Sequence, residues 1–126
     1  MSLEVEVIGS AVAEERVALL SALAAASAGI RDGHVAVEFV DATAIAELNE
    51  RYRDKSGPTD VLSFPLDEDG AAHGPRELGD VMICAEHTED LEEAVVHGVL
   101  HLTGMDHETD NGEMLALQAE ILRWVR

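Results

Sequence analysis

Three histidines in the stretch His97-Gly98-Val99-Leu100-His101-Leu102-Thr103-Gly104-Met105-Asp106-His107 carry a spacing from which chemistry can be built. Residues four apart on a helix point to the same side, with Cβ atoms about 6 Å apart, so His97 and His101 can converge on one ion. Gly104 can take positive φ, which lets the chain leave the helix and bring His107 in from a different direction. Three imidazoles make a tripod for one Zn2+ and leave a fourth position open. Water admitted there is acidified to a pKa of about 7, the feature that separates a catalytic zinc site from a closed structural one. Asp106 is placed either to accept from a ligand imidazole or to cap a turn.

The pattern H-x-x-x-H-x-x-G-x-x-H is the spacing that metzincin peptidases use. Those enzymes place a Glu directly after the first His, where it deprotonates the water and passes the proton to the leaving amine. Here that position is Gly98, so a zinc peptidase is disfavoured on chemical grounds. A phosphodiester makes a different demand, because a cation must neutralise charge building on the nonbridging oxygens. A guanidinium stays protonated and binds two phosphate oxygens at once, which makes Arg51 or Arg53 a candidate partner for the metal. The plain alternative is a solvated helix end with cations near its negative pole. His34, His73 and His87 read as surface or turn residues. Cys84 reads as a small hydrophobe ending a strand, with a fourth-ligand role as the less favoured alternative, and Asp60 as a turn holder or a groove residue beside Arg53.

The elements that must position these residues follow from periodicity. Leu3, Val5 and Val7 alternate with Glu4 and Glu6, the period of a half-buried strand. Val12, Val17, Leu20 and Ala24 then recur at helical spacing, ended by Gly29. Val35, Val37 and Phe39 alternate again. Asp41 stands as an N-cap before a helix through Ile45, Leu48 and Tyr52, which stops at Gly57-Pro58 after a basic cluster of Arg51, Arg53 and Lys55. Thr59 to Phe64 and Val81 to Cys84 read as strands, with a solvated loop from Asp67 to Pro75 between them. Thr88 to Thr103 reads as the helix carrying the first two motif histidines, with Glu89, Asp90, Glu92 and Glu93 in its first turn. Asp110 and Glu113 have capping-box spacing, ahead of a last helix whose buried face runs through Met114, Leu117, Ile121 and Trp124. The order strand, helix, strand, helix, strand, strand, helix, helix predicts an α+β fold with a mixed sheet.

Composition bounds what such a chain can do. The 126 residues suffice for one domain with a buried core, and nothing marks a linker or repeat. Against 26 Asp and Glu there are 8 Lys and Arg, a formal net charge of −18. Bulk capture of nucleic acid or an anionic membrane is therefore disfavoured, and a polyanion must be met by a local basic patch. A single cysteine excludes an internal disulfide framework and a Cys-rich zinc finger. The acidic N-terminal segment lacks the basic and apolar regions of a secretory signal, and no apolar run approaches the ~20 residues that span a bilayer. A cytoplasmic protein is expected.

Two motifs now stand out together. His97 to His107 is similar to the signature H-G-x-L-H-L-x-G-Y-D-H of the YbeY endoribonucleases, bacterial metal-dependent enzymes of ribosomal RNA maturation. Leu48-Asn49, Tyr52-Arg53 and Pro58-Thr59-Asp60-Val61-Leu62-Ser63-Phe64-Pro65 resemble a second motif of that family, as does Leu78-Gly79-Asp80. The resemblance spans residues 36 to 122. It implies a four-stranded mixed sheet with four or five helices, among them a zincin-like metal helix, in a single domain over residues 1–126. It also implies one Zn2+ held by His97, His101 and His107, and a catalytic arginine at Arg53. The implied activity is single-strand-specific RNA cleavage in 16S rRNA 3′-end maturation and ribosome quality control. The implied partners are the small-subunit rRNA precursor and the small ribosomal subunit or its assembly factors, with neither DNA nor a membrane. The rival readings are a non-catalytic, zinc-stabilised ribosome-assembly factor and the zinc peptidase. The chain departs from the family pattern at Met105, where Tyr is usual, and at Ser56, where Asp is common. The segment from Asp80 to His97 is also shorter than in the family, which shortens the helix leading into the metal motif or removes one before it.

Overall fold

In the computed structural model, which describes residues 3–66 and 77–126, the alternation at the N-terminus becomes β1 (Leu3–Ile8), with Glu4 and Glu6 turned to solvent. There follow α1 (Glu14–Ser27), β2 (Gly33–Val40), α2 (Ala42–Arg53), β3 (Val61–Pro65) and β4 (Glu77–Cys84). A 3-10 turn, Ala85–His87, leads into α3 (Leu91–Leu102), and α4 (Glu113–Val125) completes the order. The sheet order is β1-β2-β4-β3, with β1, β2 and β4 parallel and β3 antiparallel at the edge. The α+β fold with a four-stranded mixed sheet and four α-helices is the one the sequence predicts. The loop predicted over Asp67 to Pro75, and with it His73, lies outside the described residues.

Alternation along the strands divides the core into two layers. Val35, Val37, Val81 and Ile83 face α1, α3 and α4, where Val17, Leu20, Ala24, Val95, Val99 and Met114 join them in the main core. Leu62 and Cys84 face the other way and pack on Ile45 of α2, with Phe64 and Met82 alongside. The metal-motif helix and the basic helix thus lie on opposite faces of the sheet, and only the edge strand β3 separates their ends.

Four details differ from the periodic reading. β4 starts at Glu77, ahead of the apolar run, because its first residues pair with β2 through backbone that needs no hydrophobic pattern. α3 starts at Leu91 rather than Thr88, because the Asp90 carboxylate accepts from the Glu93 amide while Thr88 Oγ1 instead donates to the Cys84 carbonyl. Asp110 does cap α4, but from two residues before its N-cap, accepting from the amides of Gly112 and Met114. Glu113 is the first helical residue, so there is no reciprocal capping box. The inward stripe of α4 is Met114, Gln118, Ile121 and Leu122, whereas Trp124 is 80% exposed.

Candidate metal centre and basic rim

α3 is held at both ends. At its start Glu92 receives Arg16 of α1 at 2.7 Å and Asp90 receives Arg126 at 2.6 Å, so the helix is tied to its neighbours by charge-assisted bonds. At its finish Gly104 takes φ of +102°. The Gly104 amide bonds the His101 carbonyl, and the Met105 amide reaches back to the Leu100 carbonyl. This pair of bonds closes a Schellman turn, for which a residue without Cβ is suited. The next segment folds over on itself, with Asp106 Oδ1 accepting from the Glu108 amide and the Asp106 carbonyl from those of Thr109 and Asp110. Of the two roles open to Asp106, turn capping is the one its bonds fill.

The result is the tripod that the spacing predicts. The rings of His97, His101 and His107 lie with centroids 4.8, 5.0 and 5.3 Å apart. One nitrogen from each lies within 4.8 Å of the others, and all three residues are half-buried. Tetrahedral zinc with bonds of about 2.0–2.1 Å separates its nitrogen ligands by roughly 3.4 Å, so modest ring rotation brings this donor set onto one ion. His101 Nδ1 lies 3.0 Å from the Met105 carbonyl, and His97 Nδ1 lies 2.8 Å from Gln118 Oε1. The Met105 carbonyl can only accept, which places the His101 proton on Nδ1 and leaves a lone pair on Nε2; the Gln118 amide, with Oε1 turned to His97, would do the same for that ring. Burial, and then the neighbouring imidazoles, push the His101 pKa below its ordinary value, which favours the neutral ring a metal requires. The residues present fit a metal ion.

Gly98 has a steric role. A Cβ there would overlap Val81 Cγ1 and stand 3.3 Å from Ser63 Oγ, because α3 rides directly on β4 and β3. Ser63 Oγ donates to the Gly98 carbonyl at 2.9 Å and fixes that approach. A glutamate at this position has no room, so the peptidase arrangement is blocked by packing as well as by sequence.

Arg53 reaches the same cleft from the other face of the sheet. It lines, with Thr59, Asp60, Ser63 and the three histidines, an open cleft of about 830 Å³. Its position is set by the end of α2, where Asp54 adopts the left-handed conformation at φ 53° and the buried Asn49 side chain donates to the Gly57 carbonyl at 3.0 Å. Arg53, and not Arg51, is the cluster member that lines the cleft wall. Asp60 fills both roles considered for it, since Oδ1 accepts from the Val61 amide while the residue borders the cleft. Cys84 is buried on the α2 side of the sheet. His87 borders a neighbouring recess, and His34 pairs with Glu77 on the sheet.

Periodicity and spacing give Gln118 no place in the site and assign no role to the motif residues Ser63 and Asn49. Gln118 had a signal: a polar residue four after Met114, on the inward stripe, needs a buried partner. The Met105 contribution is main-chain, so the Tyr-to-Met departure leaves it intact.

Residues 6–126 match the sequence model of the family described as Endoribonuclease YbeY. The chain belongs to the YbeY family. Curated relatives named Endoribonuclease YbeY include one from Corynebacterium efficiens, 41% identical over 72% of this chain and 56% of its own length. Another, from Beutenbergia cavernae, is 42% identical over 70% of this chain and 71% of its own. The chain thus spans little more than half the length of some YbeY relatives. The solution structure of a Thermotoga maritima protein superimposes with a TM-score of 0.55 at 28% identity, covering 94% of this chain and 86% of that one. Among the described residues, no helix is long and apolar enough to cross a membrane.

Proposed function

We propose that residues 1–126 form one YbeY-like metal-hydrolase domain that cuts single-stranded RNA, acting in the cytoplasm on the 3′ end of small-subunit ribosomal RNA and in ribosome quality control. The observation that carries this reading is that three converging imidazoles and one guanidinium line a single open cleft. His97, His101 and His107 would hold one Zn2+, which when bound supplies a Lewis acid for a phosphoryl oxygen and lowers the pKa of water. Arg53 binds the nonbridging oxygens of the scissile phosphate and opposes the charge that builds on them. Asp106 and Glu108 also line the cleft, so only a few cations grip the backbone and binding is weak and salt-sensitive. A strand of unpaired nucleotides can bend between Arg53 and the histidines across the β3 edge, where a stiff duplex is harder to seat.

The test is cleavage of fluorogenic single-stranded RNA by the Zn2+-loaded protein, beside duplex RNA and a casein digest. Cutting confined to single strands, abolished by a chelator and restored by Zn2+, is the expected result. Intact RNA at full metal loading would favour the non-catalytic assembly-factor reading, and casein digestion the peptidase.

A further inference from the structure

We propose that Gln118, on a helix that carries no metal ligand, is the positioning residue that fixes the His97 ring for metal binding; this rests on the metal reading above. The Gln118 side chain is 8% exposed and shares the inward face of α4 with Met114, Ile121 and Leu122, all apolar. Burying a primary amide among such neighbours is costly unless it is hydrogen-bonded, and its bond is to His97. Oε1 stands 2.8 Å from Nδ1 and can only accept, so the proton is held on Nδ1 and the Nε2 lone pair is left for the ion. His101 is fixed in the same way by the Met105 carbonyl, but that acceptor comes with the helix-ending turn, whereas His97 lies in mid-helix and must find its acceptor on another element. α4 supplies it. Partners of this kind set ligand orientation, and their loss typically costs 10–100-fold in metal affinity.

The amide turned end for end would place its NH2 against Nδ1 and force the proton onto Nε2, where no metal could bind. The two cases are separated by long-range 1H–15N correlation spectra of the metal-free wild-type protein. A protonated Nδ1 on His97 is expected, and a protonated Nε2, or a freely exchanging ring, overturns the proposal. Gln118→Met keeps the volume and removes the amide acceptor. Its Zn2+ affinity, from competition with a chromophoric chelator, should fall about 10–100-fold, while Gln118→Glu, which retains an acceptor, should hold wild-type affinity or better. Unchanged affinity in the Met variant, or equal loss in both, sinks the assignment. If the Met variant does not fold, the wild-type spectrum and the Glu variant decide. None of these readings uses RNA, so a wild-type protein that binds metal and leaves RNA intact would remove the nuclease reading and leave this one standing.

Discussion

Two regions of this molecule place histidine at a folded surface and make opposite use of it. On the α3 side, His97 and His101 meet neutral oxygens, an amide and a carbonyl, and face one another and His107. On β2, His34 meets carboxylates: Nδ1 lies 2.6 Å from Glu77 and Nε2 3.5 Å from Glu6. The first arrangement leaves lone pairs converging and pushes the His101 pKa down. The second pushes the His34 pKa up, chiefly through the bond to Glu77. In a chain with net charge −18, His34 pairs directly with acids, whereas the ring nitrogens of His97 and His101 bond neutral oxygens even though Asp60, Asp106 and Glu108 line the same cleft, an arrangement suited to a ligand other than a proton.

The largest effect expected from breaking this contrast is at the cluster. Single alanine substitutions of His97, His101 or His107 should abolish Zn2+ retention and RNA cleavage, whereas His34→Ala should leave both intact, read by metal analysis and a gel assay on the same samples. Arg53→Ala should lower turnover by about 10²–10³-fold with unchanged metal content, since it removes only charge stabilisation of the transition state. Metal loss in Arg53→Ala would mean that the rim and the tripod are not separable.

How far the sequence carried this account depends on which interactions are local. The tripod was legible because helix periodicity and one glycine place all three rings. Arg53 was legible only as one of a pair, because the choice between it and Arg51 depends on how α2 ends across the sheet. Gln118 is not legible from periodicity, since its partner lies on α3 and the apolar beat of α4 runs through Leu117 and Trp124. Trp124 shows why such counting fails: a large apolar residue fits the beat, yet a polar one takes the inward place once it has a buried partner.

A smaller effect sharpens the packing side of the comparison. Gly98→Ala should destabilise the fold by roughly 1–3 kcal/mol by forcing α3 off Val81, seen as a lower urea midpoint with an unchanged slope. The smallest concerns pH. A raised His34 pKa means that its contact contributes stability below the unfolded value near 6.5 and loses it as pH rises through the folded value. His34→Gln should therefore cost more at pH 6 than at pH 9, by less than about 1 kcal/mol because the pair is partly exposed. The lowered His101 has the reverse sign: in the metal-free protein its contribution is present above about 6.5 and fades as pH falls. Denaturant melts at the two pH values, paired with imidazole NMR titrations, separate the two residues.

X-ray absorption at the zinc edge of the reconstituted wild-type protein, with metal stoichiometry on the same sample, decides whether the three histidines hold an open metal site. One ion per chain is expected, bound by three imidazole nitrogens and an exchangeable oxygen. A site closed by a fourth protein ligand, or a folded chain that takes up no metal, would contradict it.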